Sequence, residues 1–494
     1  MPTYRVDPVS GNDANDGSSW ALAFKTLKKT FAAGDEILVA KSVETPLAGT
    51  VSAEQGSVTV STTDDLTGSL AQYSIIRINS TQTLYMVRSI TSAAITLYRP
   101  YRGTTGSGYG INVLTVPVVA SGDFTPTAGN GTLGSPITLT TGVNPLDDEQ
   151  DGFTVVNVNN GSYGFSSNVD RSYWDVSRLG FYYCSYPWIY TRDKSDCNFT
   201  DCFSFRCGAG NEGAYLRCTL TRPIYEVAGI TSTYYTKVTF EDPEVAEVGS
   251  GFYLSRNAHS IVVNNLRVCR ASASGIGFSG IHHDIRFVSP IVNELNEAVP
   301  AVYVGSNGSS IDNVVIDNLK RGSGGGAIVN FTYAFIGSIA LTNMEGVAGA
   351  DQLYLGRNDG NNHYYLMEKD ETVYRTATPS ARITGINVTL PISVFHYIPC
   401  AAGVEKTISV WFRKSSSPAY GSLNRPTMRL RWHTGTSPDI VPNVYDVVMP
   451  DTDDEFVQVS HTITPSIAEG VVMELIFSPG TNGAIAWYDD IEVA

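Results

Sequence analysis

The sequence predicts an all-β protein whose central region forms a parallel β-helix. Glycine is abundant, at 46 of 494 residues, and charged residues make up only 16% of the chain, a composition that suits short strands and tight polar turns better than helices. A short pattern of apolar and polar residues recurs along the middle of the chain, at the period of a solenoid. We expect four segments: an N-terminal capping segment (1–45), a small all-β insertion domain (46–118), the β-helix (119–362) and a jelly-roll β-sandwich (363–494).

The N-terminal segment is predicted to close the open end of the β-helix. Its opening is rich in turn residues, among them Asp13 and Asp16. The apolar residues Phe24, Leu27 and Phe31 follow with a spacing that predicts a short amphipathic helix. A turn and a strand over 33–39 end the segment. The acidic turn lacks the glutamate that completes an EF-hand calcium loop, which favours a structural turn over a metal site.

The insertion is predicted from alternating apolar and polar residues, which are typical of half-buried antiparallel strands. The strand patterns lie at 57–61, 73–78, 83–87 and 94–97. Arg99, Tyr101 and Arg102 follow them in a turn-rich stretch. We interpret these three side chains as stabilising a turn or a subunit contact in preference to binding a ligand.

The β-helix is predicted from a repeat that reads β-branched or aromatic, any residue, Asn or Asp, then apolar or Pro. Its third position falls at 201, 222, 242, 265, 289, 318 and 343, in steps of 21, 20, 23, 24, 29 and 25 residues. A step of this length with short strands matches one coil, in which like residues stack in columns. Asn and Asp at the third position tolerate a left-handed turn and can bond to the next coil.

The C-terminal segment carries about eight further alternating strand patterns, which predict a β-sandwich. Seven of them lie at 364–367, 381–384, 406–413, 428–432, 456–460, 471–477 and 486–493.

Charge and cysteine usage exclude several classes of function. The net charge of −15 disfavours nucleic acid and anionic membranes as partners, and no apolar stretch of about 20 residues is present to insert into a membrane. The first residues lack the pattern of a signal peptide. Five of the seven cysteines lie within 184–218 without paired Cys-x2-Cys spacing. We therefore expect small buried side chains and neither a metal site nor a cofactor.

The N-terminal segment resembles the opening of right-handed, single-stranded parallel β-helix proteins, including pectate-lyase-like polysaccharide lyases and phage tailspikes. The hairpins that follow resemble a small all-β insertion of phage virion proteins, and 487–493 resembles the end of jelly-roll carbohydrate-binding modules. In that module family, acids matching Asp489 and Asp490 hold a structural calcium; an edge strand with solvated acids is the alternative. Together these features resemble a phage tailspike or tail-fibre receptor-binding protein.

This resemblance implies a homotrimer in the virion tail that contacts other tail proteins and, during attachment, the outer surface of the host. The implied partner is a bacterial surface polysaccharide, O-antigen or capsule, which the protein recognises and either depolymerises or only binds. Two alternatives remain: a non-enzymatic structural or adhesin protein of the virion, and a secreted bacterial polysaccharide lyase.

Aromatic residues are concentrated in the early coils, where a sugar chain could stack on exposed rings. We predict Trp188, Tyr190 and Tyr225 as glycan-binding residues, together with Arg206. A lyase would instead need a base and a cation to neutralise an acidic sugar, and four arginines are candidates for that cation: Arg256, Arg267, Arg270 and Arg286.

Acidic residues near these coils are the candidates for catalysis, because glycoside hydrolysis needs two carboxylates about 5–9.5 Å apart. Glu244 and Glu247 form the first predicted pair, and Glu212 and Glu226 form the second. A solvated acidic loop is the alternative interpretation. The stretch His282-His283-Asp284 is interpreted as a turn in preference to a general base.

Overall fold

The predicted all-β fold with a parallel β-helix is confirmed. The computed structural model describes residues 2–79, 81, 83–165, 171–186, 194–207, 214–227, 230–247, 250–293, 300–305, 309–321, 329–331, 335–342, 352–356, 364–370, 380–385, 392–398, 403–416, 425–432, 444–450, 453–464, 471–477 and 484–494. The chain divides into two compact units, 1–305 with 319–330, and 306–318 with 331–494. Among the described residues, no helix is long and apolar enough to cross a membrane.

The first unit begins with the parallel strand pair β1–β2 and an antiparallel sheet. Its first strands are β1 (Thr3–Val6), β2 (Glu36–Ala40), β3 (Val43–Pro46), β4 (Val51–Ala53), β5 (Thr59–Thr62), β6 (Ile75–Ile78), β7 (Tyr85–Ile90), β8 (Ala94–Leu97), β9 (Gly106–Tyr109) and β10 (Ile111–Thr115). Strands β3 to β10 form an antiparallel sheet in the order β3-β10-β6-β7-β8-β5-β4-β9, here called the insertion sheet. Its core is apolar and includes Val60, Ile76 and Tyr85.

The prediction of a helix over 24–31 is wrong. The structure has a single turn of 3-10 helix at Trp20–Leu22, and the residues after it bond to neighbouring segments: the Leu27 N–H donates to the Asp123 carbonyl and the Phe31 N–H to that of Ala128. Phe24, Leu27 and Phe31 are buried, so their spacing indicated buried positions correctly although the segment is not helical. The Asp13 carboxylate accepts from the backbone N–H groups of residues 25 and 26, which makes the acidic turn structural.

The coils contain most of the remaining strands. They are β11 (Ile137–Val143), β12 (Thr154–Tyr163), β13 (Arg171–Ser172), β14 (Trp174–Ser177), β15 (Leu179–Tyr186), β16 (Lys194–Ser195), β17 (Asn198–Thr200), β18 (Phe203–Phe205), β19 (Ala214–Leu216), β20 (Thr219–Thr221), β21 (Ile224–Glu226), β22 (Ile230–Thr236), β23 (Thr239–Glu241), β24 (Glu244–Ala246), β25 (Ser250–Asn264), β26 (Arg267–Cys269), β27 (Ser274–Phe278), β28 (Ile281–Val288), β29 (Ile291–Asn293), β30 (Val302–Val304), β31 (Ser309–Asp317), β32 (Lys320–Arg321), β33 (Val329–Phe331) and β34 (Phe335–Thr342).

Successive coils pair in parallel register, and buried side chains stack into columns. One inward column runs through Phe199, Leu220, Phe240, Val263 and Phe287. Six cysteines of the described residues are buried, as the sequence predicted. Stacking of like side chains lets each coil bury its apolar face against its neighbours.

Left-handed backbone recurs at the predicted third position of the repeat. The φ angles are 52° at Asp201, 48° at Arg222, 50° at Asp242, 55° at Asn265, 50° at Ser289 and 56° at Asn318; position 343 lies outside the described residues. The Asp201 N–H donates to the Thr221 carbonyl of the next coil, and the Asp201 carboxylate accepts two hydrogen bonds from Arg222, at 2.7 and 2.8 Å. The predicted ladder of turn residues is therefore confirmed at these positions.

The second unit contains a β-sandwich. Its strands after β34 are β35 (Gln352–Gly356), β36 (Tyr364–Asp370), β37 (Ser380–Gly385), β38 (Ile392–Ile398), β39 (Lys406–Lys414), β40 (Thr427–Trp432), β41 (Val444–Val448), β42 (Val457–Ile463), β43 (Val471–Phe477) and β44 (Ile485–Val493). One sheet contains β37, β44, β39 and β42 as successive neighbours, and the other has the order β38-β43-β40-β41. Buried residues from both sheets, among them Phe412 and Phe477, form one core.

Candidate functional site

The insertion contacts one face of the β-helix, the outward side of strands β12, β15, β18, β21 and β24. In the early coils this face is apolar, and Phe203, Phe205 and Ile224 pack in one cluster with Leu84 and Met86 of the insertion sheet. In later coils the same columns carry Glu226, Glu244 and Arg267. The change from apolar to charged side chains divides the contact into a hydrophobic part and an ionic part.

Arg99 of the insertion forms the centre of the ionic part. Its Nε donates to Glu226 Oε1 at 2.6 Å and its Nη1 to Glu244 Oε2 at 2.8 Å, with Arg99 2% and Glu226 0% exposed. Glu226 Oε2 also accepts the Met86 N–H at 2.9 Å. Burial raises the pKa of Glu226 to about 7, although Arg99 opposes the shift.

The other two acids are held by further arginines. Glu244 also pairs with Arg102, and Glu247 Oε1 accepts from Arg88 at 2.5 Å and from Arg270 at 3.0 Å. We call these three acids and their arginine partners the anchor. Because every carboxylate of the anchor is neutralised by a guanidinium group, its geometry is that of a structural contact.

The structure therefore corrects part of the predicted site. Glu226 is completely buried, so the prediction of a catalytic acid there is wrong, since a substrate cannot reach it. The carboxylate oxygens of Glu244 and Glu247 are bound by Arg88, Arg99 and Arg102 of the insertion. Glu212 lies outside the described residues.

The predicted glycan-binding residues fall in different places. Tyr225 is 1% exposed and its strand neighbour Val245 is also buried, so the predicted surface role of Tyr225 is wrong: the alternation of β21 turns its ring inward. The Arg206 guanidinium carbon lies 4.5 Å from the ring centres of both Tyr73 and Tyr183. Trp188 and Tyr190 lie outside the described residues.

His282, His283 and Asp284 lie within strand β28 (Ile281–Val288), so the predicted turn is not found there as a break between strands. His282 is 0% exposed, and burial lowers its pKa to about 4. His283 stacks on His259 with ring centres 4.8 Å apart. Asp284 has a φ of 56°, so the strand bends at this residue without ending.

A second face of the β-helix is exposed and polar, and the sequence analysis missed it. Its two columns consist of the outward side chains of β2, β11, β14, β17, β20 and β23, paired in register as Glu36, Thr138, Asp175, Asn198, Thr219 and Thr239, and as Thr140, Ser177, Thr200, Thr221 and Glu241. We call this the polar face. All of these side chains are at least partly exposed. The second column occupies the "any residue" position of the repeat. The repeat pattern places no requirement on the residue type there, so it did not predict this column.

Side chains of the polar face bond along the columns. Asn198 Nδ2 donates to Asp175 Oδ1 at 2.7 Å, and the Glu36 carboxylate accepts from Thr3 Oγ1 at 2.9 Å. Neighbouring coils lie about 4.8 Å apart, so Glu36 and Asp175, two strands apart, are separated by about 9.6 Å along the stack. Hydroxyl, amide and carboxylate groups in such rows can bond to the hydroxyls of an extended chain.

In the second unit, Trp487 and Arg413 lie on the outward side of the sheet that contains β44. The Arg413 guanidinium carbon is 5.2 Å from the Trp487 ring centre.

Strand β44 pairs with both β37 and β39 and Asp489 is 6% exposed, so the alternative of an edge strand with solvated acids is wrong for Asp489. Among the described residues, no group of three or more His, Cys, Asp or Glu side chains could hold a metal ion.

The solved structures similar to the chain include the two classes of protein that its sequence resembles. The enzymatically active domain of tailspike protein 4 from bacteriophage CBA120 is 10% identical over 77% of this chain and 62% of that chain, with a TM-score of 0.23. A tailspike protein of Acinetobacter baumannii bacteriophage Fri1, described as a capsular polysaccharide depolymerase, is 8% identical over 94% of this chain and 79% of that chain, with a TM-score of 0.18. A family 16 carbohydrate-binding module is 8% identical over 26% of this chain and 84% of that chain, with a TM-score of 0.21.

No family model and no curated protein matches the chain. TM-scores this low carry no argument about what the chain does.

Proposed function

We propose that the protein recognises a bacterial surface polysaccharide, O-antigen or capsule, along the polar face, as a receptor-binding protein of a phage tail. The observation that carries this proposal is the polar face itself, which presents two columns of exposed hydroxyl, amide and carboxylate groups over consecutive coils. From Thr138 to Thr239 it extends over four strand spacings, about 19 Å. A flat row of this kind suits an extended, hydroxyl-rich polymer, and the net charge of −15 disfavours a polyanionic nucleic acid.

The binding test removes two polar groups from the middle of this face. Asn198→Ala with Thr219→Ala deletes about two hydrogen bonds to the polymer, so we expect about tenfold weaker binding to immobilised O-antigen or capsule. The control is Ser52→Ala with Thr59→Ala, two exposed residues of the insertion sheet, which should leave binding unchanged. Equal affinities for the two double variants would contradict a role for the polar face.

A depolymerase is the second candidate, and one observation favours it. Glu36 and Asp175 share a column of the polar face, and their separation of about 9.6 Å by strand spacing is near the upper limit for the two acids of an inverting glycosidase. We expect a hydrolase to release new reducing ends from the bound polysaccharide and Glu36→Gln or Asp175→Asn to abolish that release. Retained binding without reducing ends or unsaturated products would identify a pure binder.

A further inference from the structure

The anchor and the adjacent Arg267 together carry more positive than negative charge. The acids are Glu226, Glu244 and Glu247, and the arginines on or beside them are Arg88, Arg99, Arg102, Arg267 and Arg270. The formal surplus is 5 − 3 = +2 in a chain whose net charge is −15. A local cationic surplus in an acidic protein needs a physical reason, because like charges at close range raise the energy of the folded state.

This surplus faces an open cleft between the insertion sheet and the β-helix. The cleft has a volume of about 90 Å³, and its lining includes Arg102, Arg267, Glu244, Ile291 and Asn293. It therefore combines cationic groups, one amide and an apolar side chain, which are the groups that a charged sugar ring would require.

Arg267 has no counter-ion in this cleft. It is half-buried, and among the described residues its guanidinium group makes no hydrogen bond or ion pair, whereas its strand neighbour Glu244 is already shared by Arg99 and Arg102. Burial lowers the pKa of Arg102, with Glu244 opposing this shift and Arg267 adding to it. The two arginines are therefore close enough to repel each other while donors of both remain available.

The charges nearest the cleft match a monoanion. Arg99, Arg102 and Arg267 face Glu226 and Glu244, which leaves a formal surplus of 3 − 2 = +1. One carboxylate neutralises this surplus, and its two oxygens fit the planar, forked donors of a guanidinium group.

We propose that this cleft binds the carboxylate of an acidic sugar, a uronic or ulosonic acid residue, between Arg267 and Arg102. This inference rests on the proposed function, since it names the class of polysaccharide that the protein selects. Ile291 contacts the apolar face of the sugar ring, and the Asn293 amide bonds to a ring hydroxyl.

The test measures binding of sodium glucuronate and N-acetylneuraminate to the full chain by ligand-observed NMR, with glucose and inorganic phosphate as comparison ligands. We expect the sugar acids to bind, glucose not to bind, and Arg267→Gln to weaken sugar-acid binding by about tenfold or more. Arg429→Gln is the matched control, because it removes one arginine from the second unit, where Arg429 pairs with Asp446. Arg267→Gln should fold normally, since Arg267 makes no ion pair with any residue that the structure describes.

Three results would overturn the inference: no binding of either acid, equal binding by Arg267→Gln and wild type, or binding of phosphate that the sugar acids do not displace. Failure of the proposed function is a separate outcome. In that case the sugar acids bind in an Arg267-dependent manner, but no intact polysaccharide, acidic or neutral, binds to the polar face. Conversely, polar-face binding of a neutral polysaccharide with no sugar-acid binding would retain the function and reject the cleft.

Discussion

At the scale of the residue, single side chains in left-handed backbone shape each coil. One coil bends at Asp196, Asp201 and Arg206, with φ values of 55°, 52° and 51°, and the next bends at Arg217, Arg222 and Val227. Only Gly, Asn and Asp adopt this conformation readily, because Cβ otherwise approaches the following carbonyl. Asp196 and Asp201 therefore suit this backbone, whereas Arg206, Arg217, Arg222 and Val227 adopt it at a conformational cost that the pairing of successive coils offsets.

A substitution at one bend tests this argument. Asn265 has a φ of 55° and donates to Asp242 Oδ1 at 2.9 Å. We expect Asn265→Val to lower the free energy of unfolding by about 1–2 kcal/mol, because a β-branched side chain is strained in left-handed backbone. Asn265→Gly should retain most of the stability. Urea denaturation gives the values, and Asn264→Val, one residue earlier within β25, is the control; equal losses at 264 and 265 would contradict the role of backbone strain.

His282 gives the second prediction at this scale. Its pKa is lowered from 6.5 to about 4 by burial, so between these values the folded state binds fewer protons than the unfolded state. The contribution of neutral His282 to the free energy of unfolding is therefore complete above pH 6.5 and is lost as the pH falls toward 4. The loss is about 2 kcal/mol between pH 7.5 and pH 5. His282→Leu should remove this acid-dependent loss relative to wild type in urea titrations at several pH values.

The control for that measurement is His283→Gln, an exposed neighbour that should keep the wild-type slope. Glu226 opposes His282 in part of the same range, because its raised pKa makes the folded state bind more protons below about pH 7. The difference between variant and wild type at each pH therefore isolates His282. A slope unchanged in His282→Leu would contradict the assignment.

At the scale of the element, the anchor decides which face of the β-helix is open. The insertion sheet covers apolar and acidic columns that would otherwise face solvent, and the polar face is left exposed. Removing one member of a buried ion pair lowers the free energy of unfolding, because the remaining charge is left unpaired in an interior that solvates it poorly. The stability of the anchor should therefore require that each buried carboxylate keeps its arginine partner.

Arg99→Met tests this dependence. It leaves Glu226 buried without its guanidinium partner, and we expect the free energy of unfolding to fall by about 3–5 kcal/mol. Limited proteolysis should show faster cleavage within 43–115, since the insertion sheet loses its central contact. Arg88→Met is the control, because Arg88 is 44% exposed and such pairs contribute about 1 kcal/mol or less. Arg99→Met combined with Glu226→Met should recover stability; a loss equal to that of Arg99→Met alone would contradict the ion-pair explanation.

At the scale of the whole molecule, the homotrimer and its place in a virion tail stay predictions. A trimer would bring three polar faces into one particle and raise the effective affinity for a repeating polysaccharide. Sedimentation velocity at micromolar concentration is the measurement, with an expected mass three times the 53.3 kDa of the chain. A single species of 53.3 kDa would count against the trimer.

The sequence by itself determined the coil and its turns. Each coil repeats the same local requirements, an alternation of inward and outward side chains and a bend in left-handed backbone. These requirements are visible as a period at Asp201, Asp242 and Asn265, with Arg222 in the same position. The same local reasoning placed the cysteines in the interior. It was wrong about the helix over 24–31. The spacing of Phe24, Leu27 and Phe31 indicates which side chains are buried, but it does not indicate which neighbouring segment accepts the hydrogen bonds of the backbone N–H groups.

The tertiary structure alone decided which acids could meet a substrate. Glu226 and Glu244 look like exposed acids in sequence, but their partner Arg99 lies 127 and 145 residues earlier in the chain. No local pattern encodes a pairing over that separation, since it depends on how the insertion sheet docks. Docking covers those acids and leaves the polar face open, and it places Arg267 beside the cleft with no counter-ion among the described residues. The candidate sites therefore arise from packing, whereas the coil arises from the repeat.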